Sequence, residues 1–230
     1  MTATLQFLPS LWKGLIVTAQ MAVLSILGCA LLSLALGVPR ASKRKPPRVA
    51  SAVAIEFFRG ASALVFLFWV YYALPLVPGM PQLGPMVASV AVLSLVGGAY
   101  GAEIVRAGLQ AVPPGQYDAS RALSLRPWQA LRKVILPQAL SQIVPAFGSL
   151  AVDLVKWTSL VSFVGVQDVL YVANSIRSIT FETVPVFLVL AGMYWVLCLV
   201  VGLLFQALER TLPLNRALTA TRRARAGGLA

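Results

Sequence analysis

The sequence contains no histidine. That removes the commonest zinc ligand, the usual axial ligand of haem and the usual general base. It has two cysteines, Cys29 and Cys198, both inside apolar stretches. They give no disulfide framework and say nothing of redox compartment. Charge is scarce as well, at 11% of residues against roughly 25% in an average soluble domain. With 59% of the chain apolar, lipid is the natural solvent for much of it. Nowhere does the chain read GxxxxGK[ST], so it is not expected to cradle a nucleotide phosphate itself.

What charge there is has one dominant sign, a net +12. In a soluble chain such an excess suggests nucleic acid. Here the basic residues fall in blocks between apolar runs, which points to membrane topology and no nucleic acid. Residues 60–102 carry no charge at all, about twice the ~20 residues that cross a bilayer. Their middle reads LPLVPGMPQLGP (74–85), which no helix tolerates. The stretch therefore holds most of two spans joined by a turn. The run 183–208 is also charge-free, and 14–38 is too long for the apolar core of a signal peptide. A weaker span, 142–166, contains Asp153 and Lys156. The expected spans are five: 14–38, 50–74, 84–106, 142–166 and 184–208.

Basic residues test the count. Arg40, Lys43, Arg44, Lys45 and Arg48 fill the first connection. Arg106, Arg121, Arg126, Arg132 and Lys133 lie in the third, and Arg210, Arg216, Arg222, Arg223 and Arg225 follow the last span. The alternate segments hold only Lys13 and Arg177. The rich segments belong in the cytoplasm and the N-terminus outside. The expected fold is an all-α polytopic membrane bundle: a single domain over 1–212 and a basic cytoplasmic tail over 213–230, close to anionic membrane lipid.

Between the third and fourth spans the chain reads VPPGQYDASRALSLRPWQALRKVILPQA, 112–139. Pro113 and Pro114 end one helix and Gly115 permits a turn. Residues 116–125 suit a short helix, Pro127 starts another, and Pro137 should break or kink it. A helix–turn–helix outside the membrane is expected, which on physics alone is as often a plain connection. Glu56 and Arg59, Glu103 and Arg106, and Asp153 and Lys156 each stand three apart, where a helix lets them neutralise one another. A charge at mid-membrane costs about 2.5–3.5 kcal/mol on insertion scales, so Asp153 and Lys156 either pair or line a wet path. Gly97, Gly98 and Gly101 form a small-residue face that favours close helix packing over ligand contact.

The loop resembles the EAA loop of ABC-type import permeases, and its surroundings resemble their polar amino acid subfamily. AYGAEIVRAGLQAVPPGQ (99–116) is similar to the third-span signature, with Tyr100, Glu103 and Arg106 inside it. EFFRGASALVFLFWVYYALP (56–75) resembles the second-span signature and contains Glu56, Arg59 and Gly60. VILPQA (134–139) and KWTSL (156–160) extend the resemblance, which covers residues 10–212. It implies an ATPase-coupling loop at 112–126, with Gly115, Gln116, Asp118, Ala119, Ser120, Arg121 and Ser124 as its contact positions. From their depth in the fourth span, Asp153, Lys156, Thr158 and Ser159 are the candidate solute path, and the resemblance sets Phe66 and Trp157 near where the family's path would lie. It implies a dimeric ABC ATPase that holds ATP and Mg, a second permease chain, identical or homologous, and an extracytoplasmic solute-binding protein. The setting is the bacterial inner membrane, and this chain is expected to carry no cofactor or metal. Asp118-Ala119-Ser120 stands for the usual Glu-Ala-Ala, and Ser124 for the usual loop glycine. Ser62 replaces a usual proline, Phe66 a glutamine and Trp157 a small acidic or polar residue. A small membrane enzyme or electron-transfer subunit would need intramembrane ligands or paired acids, and the chain has no histidine and few carboxylates. A self-sufficient channel or carrier fits the large basic loop less well than a docking subunit does.

Overall fold

The structure is a computed structural model that describes residues 7–42 and 44–212. The expected tail lies outside the described residues, as does Lys43. Among the described residues all regular structure is helical. The helices are α1 (Leu8–Arg40), α2 (Lys45–Gly60), α3 (Ala63–Phe68), α4 (Pro85–Gln110), α5 (Pro114–Ala122), α6 (Pro127–Ala130), α7 (Leu136–Trp157), α8 (Val169–Thr180) and α9 (Thr183–Thr211). Four continuous helical stretches are long and apolar enough to span a membrane: α1, α4, Pro127–Val164 and α9. They overlap the expected first, third, fourth and fifth spans, though the fourth stretch starts well before 142 and stops at Val164.

The second expected span differs. Residues 50–74 are not one helix. Lys45–Gly60 and Ala63–Leu76 meet at a bend of 96°. Ala61 (φ −86°, ψ 139°) and Ser62 (φ −65°, ψ 128°) are extended, so the helical hydrogen bonds stop there. No proline marks the break; Gly60 is the last helical residue before it. At Pro137 the helix is not broken, and the irregularity there is a five-residue π segment just before it, Leu131–Ile135. A widened turn takes up the clash between a proline ring and the carbonyl four residues earlier.

The core sits on α4. Helix α1 runs along it at close range, because their facing positions are small. A Cβ on Gly101 would lie 2.0 Å from Ser33 Oγ, one on Gly98 2.6 Å from Leu32 Cβ, and one on Gly37 2.7 Å from the Ala102 carbonyl. Ser33 Oγ donates to the Gly98 carbonyl across the seam at 3.3 Å. Small residues that let backbones approach, with a hydroxyl bonding across, are how helices associate where lipid offers no hydrophobic drive. Gly97 comes nearest Leu154 of α7, with Cys29 of α1 also close, and Gly101 also meets Phe147 of α7, so the glycine face serves both neighbours.

Helix α8 follows the fourth span and had no sequence expectation. Asp168 caps it, accepting from the Tyr171 N–H at 2.9 Å. The cap is fully buried. Burial pushes its carboxyl up to about 6, although the N–H groups of Tyr171 and Leu170 pull the other way. Thr18 Oγ1 of α1 accepts from the Val169 N–H at 3.1 Å, and Gly14 leaves room for the Val169 backbone. One apolar cluster, with Leu11, Val169, Ile176 and Val186, then ties α1, α8 and α9 together.

Candidate functional site

Helix α5 is short and mostly exposed. Pro114 supplies its fixed first turn. Ser120 is buried and donates to the Gln116 carbonyl at 2.7 Å. Gln116 Oε1 accepts from Gln138 Nε2 at 3.2 Å, which fastens α5 to the start of α7. Gly115, Asp118, Ala119, Arg121 and Ser124 are exposed. Asp118 and Arg121 stand 3.7 Å apart in a solvent-facing pair. Leu123 and Trp128, 73% and 67% exposed, are large apolar side chains with no cover.

The helix ends in a Schellman motif. The Ser124 N–H bonds the Arg121 carbonyl at 2.8 Å, and the Leu125 N–H bonds the Ser120 carbonyl at 3.1 Å. That motif needs a left-handed residue where Ser124 stands, usually glycine, and Ser124 has φ 53°. Serine therefore keeps the glycine backbone at a steric cost on the order of 1 kcal/mol. A β-branched residue fits that region far less well. Ser124→Val should open the turn and cost about 1–2 kcal/mol locally, while Ser124→Gly should leave it closed. Limited proteolysis between α5 and α6 measures this, with faster cleavage expected in the valine variant alone. Equal cleavage of both would mean that the left-handed turn is not what holds the loop.

A second set of part-exposed residues meets beside the break between α2 and α3. The Arg59 guanidinium lies over the Tyr100 ring at 5.1 Å. Tyr100 in turn stands 5.7 Å from the Trp157 ring. Glu56 approaches Arg59 only to 3.9 Å, and Arg59 Nε is buried without a hydrogen-bond partner among the described residues. One helical turn further along α4, Glu103 binds both Arg106 and Arg40 of α1, the latter at 3.3 Å. The Glu103–Arg106 pair was expected, but Arg40 was not, because nothing in the sequence sets it beside α4. Arg106 also donates to Gln110 at 2.7 Å.

Asp153 and Lys156 pair at 3.0 Å on a half-exposed face of α7, next to Cys198 of α9. Trp157 points to α4 instead, so one helix end serves two sides. Thr158 is fully buried and donates to the Val155 carbonyl at 2.6 Å. Ser159 stays partly open and donates to Lys156 at 2.8 Å. Among the described residues no group of three His, Cys, Asp or Glu could hold a metal.

The bundle, broken second span and exposed loop helix define a multi-pass membrane transporter subunit. Residues 30–212 match the family described as binding-protein-dependent transport system inner membrane component. The chain belongs to that family, whose members are permease subunits of ABC transporters in the inner membrane, not enzymes. A probable amino-acid ABC transporter permease of Sinorhizobium fredii is 40% identical over 207 residues, 88% of this chain and 87% of that one. The L-cystine transport system permease TcyL of Bacillus subtilis is 32% identical over 91% of this chain and 90% of its own. A solved amino acid ABC transporter with histidines superposes with TM-score 0.82 at 33% identity, covering 90% and 96% of the two chains. The MetNI methionine transporter shares the fold, with TM-score 0.74 at 22% identity over 90% of this chain and 98% of its own.

Proposed function

We propose that this chain is the membrane path of an ATP-driven importer for polar amino acids or related small zwitterionic solutes, handed over by an extracytoplasmic binding protein. The working unit has two permease chains, identical or homologous, and two ATPase subunits that carry ATP and Mg. The basic segments face the cytoplasm and the N-terminus lies outside. Family membership over 30–212 together with α5 carries the reading. The segment of α5 and α6, which shows Leu123 and Trp128 to the outside, suits a protein partner. The names of the relatives support the solute class.

The parts link into a mechanism. ATP favours the closed ATPase dimer, and that preference is the energy source. Closure displaces α5, the Gln116–Gln138 bond passes the displacement to α7, and the far end of α7 carries Trp157 against Tyr100. Arg59 lies at a discontinuity in a spanning segment and holds unused donor capacity. Such breaks serve solute sites in membrane transporters, and a guanidinium suits the carboxylate of an amino acid. Lys156 and Ser159 extend the path beyond Trp157, with Asp153 neutralising the lysine and Thr158 supporting from behind.

Asp118→Arg tests the coupling role. Asp118 is 73% exposed, so charge reversal should leave the fold intact. Expected are normal amounts in the membrane and an uptake lowered roughly ten-fold, a coupling loss of about 1.4 kcal/mol. Unchanged uptake at matched protein level would remove Asp118 from the interface. If the unmutated permease copurified with no ATPase subunit, the importer reading itself would fall.

A further inference from the structure

At the common end of the first and third spans lies an open cavity of about 700 Å³. Arg40, Arg48 and Arg121 line it with a single acid, Asp118. Asp118 is taken by Arg121 and Arg40 by Glu103, which Arg106 also neutralises. Arg48 has no ion-pair or hydrogen-bond partner for its side chain among the described residues. The cavity thus keeps a surplus of positive charge. Its other wall is apolar, with Val38, Leu109 and Leu131.

We infer that this cavity is a binding site for an anionic phospholipid, its phosphate among the arginines and its first methylenes against the apolar wall. Depth, charge and shape agree. Arg40 closes α1 and Arg48 lies in the first turns of α2, so both stand where the hydrocarbon of the bilayer gives way to headgroups. Guanidinium groups grip phosphate through paired donors. Mixed walls of this kind suit an amphiphile better than a free ion. Tyr117 and Asp118 line the same cavity, so the bound headgroup touches the helix proposed to transmit ATPase movement. The inference needs neither the solute class nor the direction of transport.

The test is native mass spectrometry of the purified permease with its ATPase subunits, in detergent with phosphatidylglycerol or phosphatidylcholine added. The unmutated complex should retain phosphatidylglycerol in preference. Arg48→Gln should lower that retention about five-fold, the factor that ~1 kcal/mol per basic side chain corresponds to. Arg44→Gln removes the same charge from an exposed residue outside the cavity and should change little. Equal losses in the two variants would reduce the effect to diffuse attraction and overturn the site. Equal retention of the two lipids would do the same. So would retention seen only without the ATPase subunits, since the cavity would then be ATPase surface. As a measurement free of mutation, a photoreactive phosphatidylglycerol should crosslink to the peptides bearing Arg48 or Tyr117, and labelling elsewhere alone counts against the inference.

Discussion

Gly101→Leu should deprive the membrane of folded permease. The Cβ alone would lie 2.0 Å from Ser33 Oγ and 3.0 Å from Phe147 Cε2. Ser33 has little room to turn, because its hydroxyl donates to the Cys29 carbonyl at 2.6 Å and also reaches Gly98. The added side chain must push α1 off α4, the most extensive helix contact in the bundle. Overpacking costs about 1–3 kcal/mol in a well-packed core. A seam of facing backbones gives way less than side chains do, so the upper end applies. Leucine returns less than ~1 kcal/mol in helix propensity, leaving a net loss of about 2 kcal/mol. Thermal melting in detergent and the amount of extractable protein both measure it. A paired change sharpens the test. Gly101→Ala alone should already be destabilising, and Ser33→Ala should recover part of the loss by removing the closest atom, with Phe147 Cε2 and Ser33 Cβ still at 3.0 Å. A melting temperature indifferent to all three would mean that the seam is looser than its geometry states.

Much of this architecture was legible because its signals are long. Charge-free runs and alternating basic blocks locate the first, third and fifth spans without reference to any contact. The glycine face of the third span was legible in kind, but its sharing between α1 and α7 was not, since a sequence does not state which neighbour lies opposite. The break at 61–62 left only a faint mark, the usual family proline at the position of Ser62, because Ala61 and Ser62 themselves have no fixed torsion and the apolar run continues across them. At Pro137 the expected disturbance takes the form of a π segment rather than a break. Helix α8 left a readable trace that went unused: Asp168 stands just before an apolar-periodic run, the usual start signal of a helix. At the sites, the exposed loop helix followed from its prolines and polarity. The meeting of Arg59, Tyr100 and Trp157 did not, because each comes from a different segment. Arg40 joining Glu103 is a contact of the same kind, 63 residues apart.

Arg59→Ala should reduce uptake more than any other single change outside the packed seams. Its structural contribution is small. The Glu56 pair is long, at 3.9 Å, with Glu56 68% exposed, and such pairs contribute roughly 0–1 kcal/mol. Stacking on Tyr100 adds about 0.5–1 kcal/mol. Melting should therefore fall by only about 1 kcal/mol and membrane levels should hold. A hydrogen bond to a charged solute group contributes about 1.5–3 kcal/mol, so uptake should fall roughly 10–100-fold, chiefly as a raised KM. Arg59→Lys keeps the charge but loses the planar fork and the stacking, and should lie between. Glu56→Gln separates the two roles. If Arg59 serves only to pair with Glu56, that variant should reproduce Arg59→Ala. If Arg59 meets the solute carboxylate, Glu56→Gln should transport nearly normally, because the guanidinium still rests on Tyr100. The measurement is uptake of a panel of labelled amino acids at matched protein level, beside ATPase activity of the same membranes. Loss of uptake in both variants, in proportion to protein remaining, would return Arg59 to a structural ion pair and move the solute path elsewhere in the bundle.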